Sequence, residues 1–148
     1  MSLKKYSKKD HGIIKKDIDP DINIVAETLI ASGYQAYLVG GCLRDMLLGK
    51  KPKDFDIVTE ASPIEICNLF SKAKIIGKRF KIVHVYVSDK KFFEVSTFRA
   101  DTRKKDKRKF KKVNGLIKRD NVYGTISQDA FRRDFTINSL YYDLDSEV

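Results

Sequence analysis

The alternation in Asp54-Phe55-Asp56-Ile57, running on into Val58 and Thr59, constrains this chain more than any other stretch. Successive side chains of a strand point to opposite faces, so Phe55 and Ile57 enter a core while Asp54 and Asp56 project together from the other side. Phe55 to Thr59 therefore reads as a strand with a carboxylate pair at its start. Two carboxylates held this close repel unless a cation sits between them. Oxygen-only ligands on a rigid strand suit Mg²⁺, which keeps waters and takes substrate phosphates as its remaining ligands. A D-x-D near a strand start is also a common surface pattern, so the pair acquires meaning only from what surrounds it.

Upstream, Asp19-Pro20 supplies an N-cap and a Pro at the first helical position, and Ile22, Val25, Ala26, Leu29 and Ile30 follow at helical spacing. Gly33 ends that helix. Tyr34 to Val39 is an apolar run that reads as a buried strand, broken by Gly40-Gly41, after which Leu43, Leu47 and Leu48 mark a short helix stopped at Gly49. Without Cβ atoms Gly40 and Gly41 would let a triphosphate approach the backbone closely, and the strand-to-helix turn presents free N–H groups. A tight structural turn explains the glycines equally well.

Downstream, Ser62-Pro63-Ile64-Glu65 is a capping box opening a helix through Phe70. Lys74 to Gly77 reads as a short strand. Phe80–Val87 and Lys91–Phe98 are two β-rich runs joined by the polar Ser88-Asp89-Lys90, a hairpin. Glu94 interrupts the second run and shares a strand face with Phe92, Ser96 and Phe98; an acid there is costly unless paired or metal-bound, or unless the face meets water. Ser127 to Arg133 reads as a helix and Ser139 to Leu144 as a returning strand. Within this stretch Arg132-Arg133-Asp134 and Asn138 could grip a triphosphate and a ribose through bidentate hydrogen bonds, or form structural ion pairs. The fold class is α+β, a mixed and partly antiparallel sheet with flanking helices.

Charge is concentrated in two places. Residues 1–20 hold six Lys against three Asp and residues 101–120 hold ten Lys or Arg against three Asp, so +3 and +7 account for the whole formal +10 of the 148 residues. The first run reads as a flexible basic segment (1–11) before a domain spanning 12–148. The second reads as a mobile loop that contacts a polyanion, with Lys104, Lys105, Lys107, Arg108 and Lys109 as the RNA-contact candidates. Cys42 and Cys67 lack the spacing of a zinc site or a disulfide framework, and no apolar run nears the roughly 20 residues of a membrane span. A cytoplasmic protein without a membrane partner is expected.

Taken in order, LVGGCLRD, DFDIV, EVSTFR and RRDFTINSL resemble the head of class II nucleotidyltransferases of the polymerase-β superfamily, a family of bacterial poly(A) polymerases and CCA-adding tRNA nucleotidyltransferases. IIGKRFKIVHVYV and the segment around RRDFTINSLYY resemble the poly(A) polymerase branch more. The resemblance covers roughly residues 12–146 and implies an enzyme that adds AMP from ATP to RNA 3′ ends with two Mg²⁺ ions. It implies Asp54 and Asp56 as the metal-binding pair and Glu94 as the acid that completes or supports it. Gly40, Gly41 and Arg44 match the triphosphate loop, and Arg99 the arginine ending the third motif. Arg132, Arg133, Asp134 and Asn138 match the segment contacting the nucleotide and its ribose. The partners implied are ATP or another NTP and an RNA 3′ end. Helical neck, body and tail regions that follow the head in this family, and that carry base selection, are expected to be missing from this chain. The competing readings are a CCA-adding head acting on tRNA and a non-catalytic module that binds RNA or nucleotide.

Overall fold

A computed structural model describes residues 3–100 and 123–148, together with two short strands at 112–113 and 116–117. The chain opens with a single helical turn, α1 (Lys8–His11), inside the segment expected to be flexible. Ser7 fixes its start by donating from backbone and hydroxyl to the Asp10 carboxylate at 2.9 and 2.6 Å. The turn docks on the far end of the chain, where Lys8 Nζ lies 2.7 Å from Glu147 Oε2 and His11 Nε2 3.0 Å from the Glu147 carbonyl.

Helix α2 (Pro20–Ala31) begins as its sequence indicates, with the Asp19 carboxylate accepting from the Asp21 N–H at 2.9 Å. It buries Ile22, Val25, Ala26 and Leu29 along one stripe. Strand β1 (Ala36–Val39), helix α3 (Gly41–Leu47), strand β2 (Asp56–Thr59) and helix α4 (Pro63–Leu69) follow. Both halves of the Ser62/Glu65 capping box form on α4, Ser62 N–H donating to Glu65 Oε2 at 2.8 Å and Glu65 N–H to Ser62 Oγ at 3.3 Å. Strands β3 (Ala73–Ile76), β4 (Ile82–Tyr86) and β5 (Phe92–Thr97) form a meander, then come β6 (Lys112–Val113), β7 (Leu116–Ile117), α5 (Ile126–Arg132) and β8 (Tyr141–Asp143).

Six strands make one sheet in the order β3-β4-β5-β2-β1-β8. Every neighbouring pair is antiparallel except β2 and β5, which run parallel because α4 and the meander carry the chain back to the same end before β5 enters. β2 is therefore central, paired on both sides. The principal core lies on the face covered by α2 and α4, where Ile22, Leu29, Ile57, Ile66, Val83, Val85 and Val95 are buried. Burial of each such side chain contributes roughly 1.5–3 kcal/mol. The opposite face has only a small apolar cluster, Val39, Val58 and Phe98, capped by Ile126 of α5 with Tyr37 and Tyr141.

Two expectations change. β2 begins at Asp56 rather than Phe55, because its antiparallel partner β1 ends at Val39, where Gly40 turns away. Within the basic stretch expected as a loop, β6 and β7 pair as a small antiparallel hairpin. Lys104, Lys105, Lys107, Arg108 and Lys109 lie outside the described residues. No helix among the described residues is long and apolar enough to cross a membrane.

Candidate active site

The face opposite the principal core gathers the acids. Asp56 opens β2 with its side chain on the side of Val58, while Phe55 and Ile57 are buried in the core as the alternation requires. Across the parallel pair Asp56 stands level with Glu94, and across the hairpin Glu94 stands level with His84. Registered partners share a face, so Glu94 projects from the same side as Asp56. Asp54 lies two residues before the strand, near enough that its charge raises the pKa of Asp56. Burial, Glu94 and Asp54 together push the Asp56 carboxyl up to about 6, against a smaller opposing pull from Arg133.

The elevation comes first from burial and then from the neighbouring Glu94 and Asp54 charges, with no counter-charge close enough to offset them. Among the described residues no group of three or more His, Cys, Asp or Glu side chains is placed to hold a metal ion. What the chain offers is an open pair of hard oxygen ligands. The donor set suits a divalent cation that takes its other ligands from water and substrate phosphate, as Mg²⁺ does. Glu94 is half exposed, and its Oε1 lies 3.5 Å from His84 Nε2.

On the β1 side stands the glycine turn. Gly40 adopts φ +80° and ψ −146°, a conformation essentially confined to glycine, and a Cβ built on it would come 3.8 Å from Asp56 Oδ2. The turn thus needs glycine for its backbone shape and lies directly against the Asp56 carboxylate. Gly41 is less demanding, since its added Cβ would meet only the flexible end of Arg44, at 3.3 Å from Nη2. Arg44 folds back over the turn and forms a bidentate pair with Asp45 Oδ1 at 2.9 and 3.0 Å. Cys42 donates to the Val39 carbonyl, and burial pushes its thiol up to about 11, which keeps it unreactive.

The arginines are organised by a residue that the sequence reading passed over. Asp129 of α5 is completely buried. Its Oδ1 accepts from Arg132 Nε and Nη2 at 2.9 and 2.7 Å and from the Arg99 N–H at 3.0 Å. Its Oδ2 accepts from Arg133 Nε at 2.9 Å and from the Tyr141 hydroxyl at 2.6 Å. Burial raises the Asp129 pKa, but the Tyr141 and Arg99 hydrogen bonds and the charges of Arg133 and Arg132 outweigh it, leaving the carboxyl below its ordinary value. Tyr141 also accepts from Arg133 Nε at 3.0 Å. One carboxylate therefore ties α5, the start of the Arg99 loop and edge strand β8 together and aims Arg133 toward Asp56. The Asp129–Arg132 and Asp129–Arg133 spacings, three and four apart on a helix, are the signal by which sequence alone could have found it.

Arg99 completes this cluster, its guanidinium 4.6 Å from the centroid of the Phe80 ring. Burial and then the nearby Arg132 charge lower its pKa from the ordinary arginine value. Asp134 and Asn138 stay apart from the hub. Asp134 is exposed, and Asn138 Nδ2 donates to its carbonyl at 3.4 Å. The 3-10 turn containing Asn138 packs beside α3. The arrangement thus brings Asp54, Asp56 and Glu94 together, with Gly40 against Asp56 and Arg133 within its electrostatic reach. Arg44, Asp134 and Asn138 surround this centre without joining it.

Residues 36–148 match the family described as the Poly A polymerase head domain. Poly(A) polymerase I of Haemophilus influenzae is 47% identical over 135 residues, covering 88% of this chain and 29% of that protein. The CCA-adding enzyme of Bacillus pumilus is 37% identical over 124 residues, covering 84% of this chain and 29% of its own length. The crystal structure of the Bacillus stearothermophilus CCA-adding enzyme in complex with CTP superposes with a TM-score of 0.65 at 31% identity, over 88% of this chain and 29% of that one. The chain spans under a third of the length of each of these relatives.

Proposed function

Because the chain belongs to the family of the poly(A) polymerase head domain, we propose that it carries the transfer site of an enzyme that adds AMP from ATP to RNA 3′ ends. The observation that supports this most is the carboxylate pair with the raised Asp56, which has a glycine turn against it and Arg133 within its electrostatic reach. Poly(A) polymerase I relatives at 47% identity against 37% for a CCA-adding relative favour polyadenylation over CCA addition.

Asp54 and Asp56 would hold Mg²⁺, two ions in the active complex, with Glu94 supporting the pair. When bound, such ions lower the pKa of an attacking hydroxyl and neutralise charge on the phosphates. The chain's own groups do the positioning. Gly40 leaves room for phosphate oxygens beside Asp56, where a side chain would need a forbidden backbone. Arg133 and Arg132, oriented by Asp129, present guanidinium forks to the triphosphate, with Arg99 and Arg44 adding positive charge at its edges. Asp134 and Asn138 would contact the ribose, as the resemblance implies. These contacts address phosphate and sugar, which all NTPs share, so discrimination among bases is not expected from them.

The test is nucleotide incorporation by the natural protein containing this chain, with each of four NTPs on an RNA with an unpaired 3′ end and on a tRNA lacking CCA. AMP addition to the first without CMP addition to the second is the expected result. CMP and AMP addition restricted to the tRNA would establish the CCA-adding reading, and no incorporation at all the non-catalytic one.

A further inference from the structure

The sheet face that carries the acids does not end at Glu94. On β4 and β5 it continues as a strip that no helix among the described residues covers, and Tyr86, His84 and Phe92 lie on it. Tyr86 stands level with Phe92 in the hairpin register, with ring centroids 5.3 Å apart. His84 stacks on Phe92 at 4.2 Å and 20° between planes. Phe92 opens β5, is paired only with Tyr86 of β4, and is 43% exposed, which leaves its ring available to a ligand. Lys74 of β3 lies over the Tyr86 ring at 5.8 Å, and Lys78 and Lys81 are exposed in the loop joining β3 to β4. Apart from His84, 3.5 Å from Glu94, these residues lie outside the transfer site, and α2 and α4 cover only the other face.

We infer that Tyr86, His84 and Phe92 form a stacking platform for the bases of the RNA strand whose 3′ end is extended. The inference rests on the nucleotidyltransferase reading and adds a location for its second substrate. Three observations select single-stranded RNA as the occupant. The platform adjoins the reaction centre, since Phe92 lies two residues from Glu94 on the same face, about 7 Å along the strand. It is flanked by Lys74, level with His84 across the β3–β4 pair and over the Tyr86 ring, which suits a phosphate backbone. It also lies on the correct side. The glycine turn lies on the β1 side of Asp56 and Arg133 is tied to Tyr141 of edge strand β8, while the aromatic strip sits on the β5 and β4 side. Phosphoryl transfer sets attacking and leaving oxygens roughly in line. A triphosphate received on one side therefore requires the strand bearing the attacking hydroxyl to arrive from the other. Exposed rings on a sheet are a sequence-tolerant way to hold unpaired bases, because every base has a π-face.

The chain has no Trp, so Phe92→Trp creates a single reporter in stacking position, with Ile64→Trp on α4 as the control. A short single-stranded oligoadenylate should quench the first and leave the second unchanged, and the same sequence in a duplex should quench neither. Fluorescence anisotropy should show the labelled oligoadenylate bound at least about fivefold more weakly by Phe92→Ala than by wild type, with Phe92→Tyr near wild type. Phe92→Leu keeps the apolar contacts with the neighbouring rings and should lose the same affinity if Phe92→Ala proves unstable. Calorimetry with Mg²⁺ and ATP separates this idea from the reading beneath it. Unchanged oligoadenylate affinity in both variants, with Mg²⁺–ATP still bound, overturns the platform alone. An equal loss of Mg²⁺–ATP affinity would place the incoming nucleotide on the rings instead of RNA and would also overturn it. Wild type that binds neither ligand overturns the transferase reading itself.

Discussion

Replacing Asp129 with Asn removes one charge from the interior and changes almost no volume. The carboxylate accepts five hydrogen bonds, from Arg132 twice and once each from Arg133, Tyr141 and the Arg99 backbone. Both arginine side chains are mostly buried, at 24% and 18% exposed, so water replaces little of what is lost. Breaking a buried ion pair by deleting one partner typically destabilises by about 3–5 kcal/mol. For a domain of this size that corresponds to a melting temperature lower by roughly 6–20 °C. The sign with pH follows from the depressed Asp129 pKa. Its stabilisation is present above the unfolded carboxyl pKa near 3.8 and fades as pH falls through the lower folded value, so wild type and Asp129→Asn should converge in acid. Urea unfolding at neutral and acid pH measures this. Tyr141→Phe is the companion variant, removing one donor at 2.6 Å and leaving both arginines paired. It should cost about 1.5–3 kcal/mol while sparing Mg²⁺–ATP affinity, whereas Asp129→Asn should weaken that affinity about tenfold or more. A loss of stability under about 1 kcal/mol in Asp129→Asn, or equal ATP affinity in both variants, would refute the hub.

Gly40→Ala should destabilise by about 1–3 kcal/mol through its positive φ, while Gly41→Ala, which meets only the Arg44 side chain, should unfold near wild type in the same urea titration. Asp56→Asn should make the metal-free chain more stable above pH 6. A folded carboxyl raised from 3.8 to about 6 loses stability as pH rises through that window, by at most about 3 kcal/mol before solvent screening, and melting curves across pH 4–8 should show the two proteins converging at the acid end. Alanine at several of Lys104, Lys105, Lys107, Arg108 and Lys109 should weaken RNA binding and flatten its dependence on salt. An unchanged slope would leave that run as solvated surface.

What could be read from sequence is what short-range physics determines. The period-2 alternation of Asp54 to Val58 fixed which side chains enter the core, and Phe55 and Ile57 do so. The Asp19-Pro20 start and the Ser62/Glu65 box are local hydrogen-bonding patterns, and both form as written. What escaped depends on partners remote in sequence. Asp54 falls outside β2 because β1 ends at Val39. Asp129 looks like an ordinary acid in the first turn of a helix, and only the packing of α5 on Val39, Val58 and Phe98 buries it beside Tyr141. The turn at Lys8–His11 is too short for periodicity, and it is held by Glu147 at the other end of the chain. The aromatic strip was visible as an alternation in β4 and β5, but not that α2 and α4 would leave that face uncovered.

In the proposed function Asp54 and Asp56 hold the divalent cation through which a nucleoside triphosphate binds. Calorimetric titration of ATP, with Mg²⁺ and with chelator, into the wild type, Asp54→Asn and Asp56→Asn tests it most directly. Binding that requires Mg²⁺ in the wild type and is lost in both variants, with CTP, GTP and UTP within about tenfold of ATP, is the predicted result. ATP binding that survives chelator, or that persists in Asp54→Asn and Asp56→Asn at wild-type strength, would contradict it.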